Sequence, residues 1–142
     1  MEPNNEKSGQ CLCGAVRFTT RGPLREVVAC HCSQCRRQTG LYFAATNVAD
    51  DQIDIEGGEN LSWYHASAVA KRGFCATCGS ALFWKHQDDT FISVLAGAFD
   101  QPSGLTMTKH IYCSDRGDFY EITDGLPQYE KGSAGLLVAD DG

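Results

Sequence analysis

Seven of the eight cysteines in this 142-residue chain fall into three short clusters, and their spacing constrains the fold more than any other feature. Cys11-Leu12-Cys13-Gly14 comes first, Cys30-His31-Cys32-Ser33-Gln34-Cys35 second, and Cys75-Ala76-Thr77-Cys78-Gly79 third. Two residues between thiols allow a tight turn to bring both sulfurs to one ion. A following glycine permits the backbone bend that brings N–H groups toward sulfur. Such a pair is only half of a tetrahedral site. Zinc–sulfur bonds of about 2.3 Å set the sulfurs roughly 3.8 Å apart, so two further thiols must converge. Cys11 and Cys13, again followed by glycine, are the natural partners of Cys75 and Cys78. A closed four-cysteine zinc there would clamp the start of the chain to its middle. Reduced thiols packed in the core are the plainer alternative.

Cys30, Cys32 and Cys35 remain, on one contiguous stretch that can reach a single ion if a strand bends as it enters a helix. A zinc with three protein ligands keeps its fourth position for water or substrate, which is the pattern of a reactive site. Cys113 is the competing fourth ligand, although a solitary cysteine on a strand is more often a small buried residue. His31, between two of these ligands, faces away from the metal in an extended segment. That favours a packing or hydrogen-bonding role over a substrate contact. Arg36 and Arg37 follow the second cluster directly, and Arg17, Lys71 and Arg72 stand close to the others. These cations either offset thiolate charge or bind an anionic substrate.

The formal charge of −6 becomes more negative once thiolates bind metal, and this excludes a general nucleic-acid binder with its basic stripe. No apolar run approaches the roughly 20 residues of a membrane span. Met1 to Ser8 has no apolar core of the kind a signal peptide carries, so the expected compartment is the reducing cytoplasm, where clustered cysteines are metal ligands rather than disulfides. Residues 1–8 are expected to form a disordered arm, residues 9–135 a single domain and residues 136–142 a flexible tail.

Apolar and polar residues alternate through Ala15–Thr20, and strands are also expected at Arg25–Cys30, Leu41–Asn47, Ile53–Ile55, Leu61–His65, Ala68–Phe74, Ala81–Lys85, Thr90–Ala96 and Thr108–Cys113. Ser33 is the expected cap of a short helix, Gln34 to Thr39, that Gly40 ends. Helical spacing is nowhere sustained over ten positions. The class is mainly β, with one or two short helices and a modest core that a metal would help to hold. Trp63, Tyr64, Phe83 and Trp84 are core aromatics or contacts of a homodimer. His86 is expected to be solvated in a turn, and His110 to line a pocket on its strand.

The three cysteine motifs in this order, with Ala15-Val16 after the first, Arg36 after the second, and Phe74 and Ser80 around the third, resemble the glutathione-dependent formaldehyde-activating enzyme family. The resemblance runs on through Gly97-Ala98-Phe99-Asp100, His110-Ile111 and Asp124-Gly125-Leu126-Pro127, and spans roughly residues 9–130. It implies a β-tent-like fold of short coiled antiparallel sheets around a structural zinc held by Cys11, Cys13, Cys75 and Cys78. It also implies a second, catalytic zinc on Cys30, Cys32 and Cys35, and a carbon–sulfur lyase that joins glutathione and formaldehyde as S-hydroxymethylglutathione. Arg36, Arg37, Arg72 and His31 are then the residues expected to meet the small thiol substrate. The chain departs from the family pattern at Phe119, where tryptophan is common, and around Asp115-Arg116, where a lysine is. Two other classes remain open from the sequence: a non-catalytic zinc-stabilised binding module and a thiol-based redox or metal sensor.

Overall fold

The computed structural model describes residues 6–132. Its strands are β1 (Lys7–Gln10), β2 (Arg17–Thr20), β3 (Val27–Cys30), β4 (Phe43–Ala49), β5 (Ile53–Glu56), β6 (Leu61–His65), β7 (Ala70–Cys75), β8 (Ala81–His86), β9 (Phe91–Leu95) and β10 (Met107–Ile111). One α-helix, α1 (Ser33–Thr39), and several single 3₁₀ turns complete the described residues. The mainly β class expected from the sequence is the class observed. Residues 1–5 of the expected arm and all of the expected tail lie outside the described residues. Lys7 and Ser8, expected in the arm, instead open β1, because their backbones pair with Thr20 and Thr19. The described residues fall into two compact units.

Among the described residues the first unit comprises 6–25 and 46–105. Its smaller sheet is antiparallel in the order β1-β2-β5, with Phe18 of β2 opposite Gly9 on one side and Ile55 on the other. Alternation explains the strand: Phe18 and Thr20 face inward, and Arg17 outward. Gly9 is required by close approach, since a Cβ there would stand 2.4 Å from the Phe18 ring and 2.4 Å from the Ala98 carbonyl oxygen. A second set of strands runs β9-β8-β7-β6, with Gly73 between Trp63 and Phe83 in register and Phe83 opposite Val94. The Trp63 ring covers the bare face of Gly73, and the Lys71 ammonium lies 4.5 Å above that ring. The core of this unit joins Phe18, Leu82, Phe83, Val94 and Phe99 with Cys11 and Cys75. Two cysteines of the first and third sequence clusters are therefore built into the hydrophobic interior.

Among the described residues the second unit comprises 26–45 and 106–132. Here β3 pairs antiparallel with the first residues of β4, Cys30 facing Phe43, and parallel with β10, Ile111 facing Cys30. The parallel pair departs from the expected antiparallel sheets. Parallel neighbours need a long connection, and the first unit's second segment, residues 46–105, supplies it in the chain. Cys113, expected on the last strand, lies in a 3₁₀ turn, Cys113–Asp115, which follows Tyr112 at a left-handed φ of 55°. Segment 127–131 returns beside β10: the His110 N–H donates to the Pro127 carbonyl, and the Tyr129 N–H to that of His110.

Candidate metal centres and the histidine chain behind one of them

Gly14 and Gly79 have φ of +84° and +82°, a region that costs side-chain-bearing residues strain, and each closes a turn that brings cysteines round. The turns are pinned by N–H donors: Gly79 to the Cys75 carbonyl at 2.7 Å, Cys78 to the Cys75 sulfur at 3.4 Å, and Val16 to the Cys11 sulfur at 3.3 Å. Cys11, Cys13, Cys75 and Cys78 converge with all four sulfurs within 4.8 Å of one another. Cys13 stands 3.7 Å from Cys11 and 3.8 Å from Cys75, the edge length of a tetrahedral thiolate site with bonds of about 2.3 Å. The residues thus fit a closed four-sulfur site. Cys11 and Cys75 are buried while Cys13 is exposed, so the ion would sit at the margin of the core.

Charge in this cluster is uneven. Hydrogen bonds from the Ser80 side chain and backbone, and from the Cys13 backbone, hold the Cys78 thiol down at about 5. For Cys13 the Ala15 backbone favours the thiolate, but lost solvation and the sulfurs of Cys11, Cys78 and Cys75 outweigh it and push the thiol up to about 11. Four close thiols therefore cannot all ionise alone, and a dication bound among them would draw off the remaining protons.

The second cluster is set by the junction of β3 and α1. Cys30 ends the strand, and Cys32, not Ser33, is the helix N-cap, its sulfur accepting from the Cys35 N–H at 3.4 Å. Sulfur substitutes for the oxygen of the usual cap because the ligand turn and the cap turn are one structure. Gly40 ends the helix in a left-handed conformation, as expected, with its N–H on the Arg36 carbonyl. Cys30, Cys32 and Cys35 lie within 4.8 Å of one another, and among the described residues no histidine, carboxylate or fourth cysteine joins them at that spacing. Cys113 stays outside. The neighbouring sulfurs of Cys32 and Cys35, with burial behind them, push the Cys30 thiol far up. These three residues could hold a metal ion.

His31 is fully buried, and both ring nitrogens are engaged: Nε2 lies 2.9 Å from His110 Nδ1, and Nδ1 meets the Tyr120 hydroxyl. His110, 2% exposed, places Nε2 at 2.8 Å from the Asp124 carboxylate. His31 therefore has the hydrogen-bonding role and offers no free ring nitrogen to a substrate. His110 is part of the same buried chain and not of an open pocket. Desolvation, with His110 and Arg116 nearby, lowers His31 to about 4, so the ring is neutral at ordinary pH. Hydrogen bonds from the Leu126 N–H and the His110 ring lower Asp124.

Arg36 is half-buried and Arg37 exposed on α1. The Arg36 side chain packs at Gly117, where a Cβ would stand 3.3 Å from it, so loop 116–120 lies along the cluster's helix. Arg116 donates to the Tyr120 carbonyl at 2.6 Å. Arg72 belongs to the first unit, buried on β7. His86 ends β8, where its Nδ1 accepts from the Asp88 N–H. Tyr120 and Asp124 were not singled out from the sequence for any role. The likeness around His110 and Asp124 was the signal that could have found the chain.

Comparison with known proteins gives a concordant result. Residues 6–115 match a family described as glutathione-dependent formaldehyde-activating enzyme. A Halomonas elongata protein whose name places it among those enzymes is 30% identical over 127 residues, covering 80% of this chain and 79% of its own. An uncharacterized lyase of Schizosaccharomyces pombe is 26% identical over 122 residues, covering 84% of this chain and 87% of its own. A crystal structure of a Rhodobacter sphaeroides protein superposes with a TM-score of 0.58 at 26% identity, covering 71% of this chain and 99% of that one.

Proposed function

Because the chain belongs to the glutathione-dependent formaldehyde-activating enzyme family, we propose that it is a zinc-dependent carbon–sulfur lyase acting on a small thiol adduct, with glutathione and formaldehyde as the first substrate pair. The observation that carries this reading is the three-cysteine cluster, which gathers three sulfurs within 4.8 Å of one another with no fourth cysteine, histidine or carboxylate at that spacing among the described residues. Zinc bound there would supply a Lewis acid that lowers the pKa of a thiol or polarises an aldehyde oxygen.

The chain's own residues do the rest. Cys30, Cys32 and Cys35 hold the ion, and the Cys35 N–H on the Cys32 sulfur keeps the turn closed around it. Cys11, Cys13, Cys75 and Cys78 hold a separate, structural zinc that joins the first loop to the β7–β8 turn. Glutathione carries two carboxylates, and Arg36 and Arg37, which lie on α1 just after Cys35, would receive one of them. In the reaction the thiol sulfur bonds to the aldehyde carbon, the carbonyl π bond opens, and the thiol proton ends on the oxygen. The medium in which the protein works is the cytoplasm, and its partners are small molecules.

NMR exchange spectroscopy of glutathione with formaldehyde tests this. Wild type should accelerate exchange above the spontaneous rate, and Cys35→Ser should lose the acceleration while staying folded. No acceleration by wild type would remove the substrate pair. A variant as fast as wild type would remove the role of the cluster.

A further inference from the structure

Asp124, His110, His31 and Tyr120 form an unbroken line of four hydrogen-bonding side chains whose two inner members are sealed from solvent. Its ends are not sealed. The Asp124 side chain is 39% exposed, and Tyr120 is half-buried in the loop that packs along Arg36. Two buried imidazoles joining two surface points exceed what packing needs, since apolar rings of that size would fill the space without requiring partners.

The chemistry of each group sets the direction of the line. An ionised carboxylate only accepts, so His110 must donate from Nε2. In a neutral ring the other nitrogen then carries a lone pair, and His110 Nδ1 accepts from His31 Nε2. That leaves His31 Nδ1 bare, and the Tyr120 hydroxyl donates to it.

We infer that Asp124, acting through the two buried histidines, commits the Tyr120 proton inward and so presents the Tyr120 oxygen as a hydrogen-bond acceptor for the hydroxyl of the thiol adduct beside the three-cysteine cluster. Asp124, His110 and His31 are positioning residues, and Tyr120 is the one that touches substrate. The contact with the adduct rests on the proposed function, while the direction of the chain does not. His31 stands between two cluster cysteines and Tyr120 bonds its ring, which ties the acceptor to the turn that carries the ligands.

Long-range proton–nitrogen NMR of the zinc-loaded, histidine-labelled protein at about pH 8, above the imidazole range, reads the chain directly. Both His31 and His110 should carry their proton on Nε2, with Nδ1 bare. In Asp124→Asn the side-chain amide donates to His110, so both rings should shift their proton to Nδ1 and the Tyr120 proton should turn outward. Asp124→Glu should restore the original pattern. Tyr120→Phe and Asp124→Asn should each lower kcat for exchange by about tenfold or more with zinc content and melting temperature held, and the double variant should be no slower than Tyr120→Phe alone.

A doubly protonated His110 in wild type, or unchanged tautomers in Asp124→Asn, would overturn the chain. Normal kcat in Tyr120→Phe would overturn the substrate contact. A wild type that fails to accelerate exchange removes that contact together with the proposed substrates, and the nitrogen shifts then decide the chain alone.

Discussion

Phe18→Ala tests how the core supports the four-cysteine site. The ring is 1% exposed and meets Phe83 and Phe99 edge-on, with centroids 5.8 and 5.1 Å away. Truncating a core phenylalanine costs about 3–5 kcal/mol, depending on how far the site can collapse. Here collapse is resisted, because one wall is the backbone of β1 at Gly9, already in close contact with the ring. The two aromatic pairs add about 0.5–1.5 kcal/mol each beyond the area they bury. The cost should therefore fall near the top of the range, about 5 kcal/mol, against a total stability of about 5–15 kcal/mol for an ordinary domain. With a urea slope of about 2 kcal/mol per M, the unfolding midpoint of the metal-replete protein should fall by about 2–3 M at unchanged slope. Cys11 and Cys75 share that core, so chelation of the four-cysteine metal should also become faster. A midpoint shift below about 0.5 M would show that the Phe18 contacts do not hold this unit together.

Gly79→Ala should cost about 1–2 kcal/mol, the strain of a left-handed residue with open space around it. Gly57→Ala should cost clearly more in the same denaturation assay, because its Cβ would fall 1.9 Å from the Ala15 carbonyl oxygen, and equal costs would discount the clash. Arg36→Ala should raise KM for glutathione about tenfold, the loss of one charge-assisted contact worth roughly 1.4 kcal/mol, with kcat nearly held. An unchanged KM would remove Arg36 from the substrate site. Asp124 has a carboxyl lowered by the Leu126 N–H and by His110, so its stabilisation is fully present above the ordinary value of 3.8 and is lost as pH falls through the lowered one. The stability gap between wild type and Asp124→Ala should be constant near neutrality and close in that acid window. A gap that persists well below it would contradict the shift.

The cysteine spacing specified the two clusters because a metal site imposes distances that sequence separation and turn chemistry can satisfy in few ways. Cys75-x-x-Cys78-Gly79 needed only a tight turn and a left-handed glycine, and both are present. Most strands were legible for a similar local reason: Phe18 and Val94 alternate with outward residues over one short pleat. The parallel pairing of β3 with β10 was not legible, since nothing local in Val27–Cys30 marks which distant strand lies beside it. Cys32 was overlooked as a helix cap because sulfur is an uncommon cap, and Ser33 next to it carries the usual signal. The Asp124–His110–His31–Tyr120 line was hidden for the same reason as the pairing. Its members lie up to 93 positions apart, and only the return of segment 127–131 along β10 draws the Asp124 end toward the imidazoles.

Native mass spectrometry of the zinc-replete protein bears most directly on the division of seven cysteines into a closed site and an open one. Wild type and Cys113→Ser should each carry two zinc ions, and Cys35→Ser should carry one while remaining folded. One zinc in wild type, loss of an ion in Cys113→Ser, or two ions retained in Cys35→Ser would contradict that division.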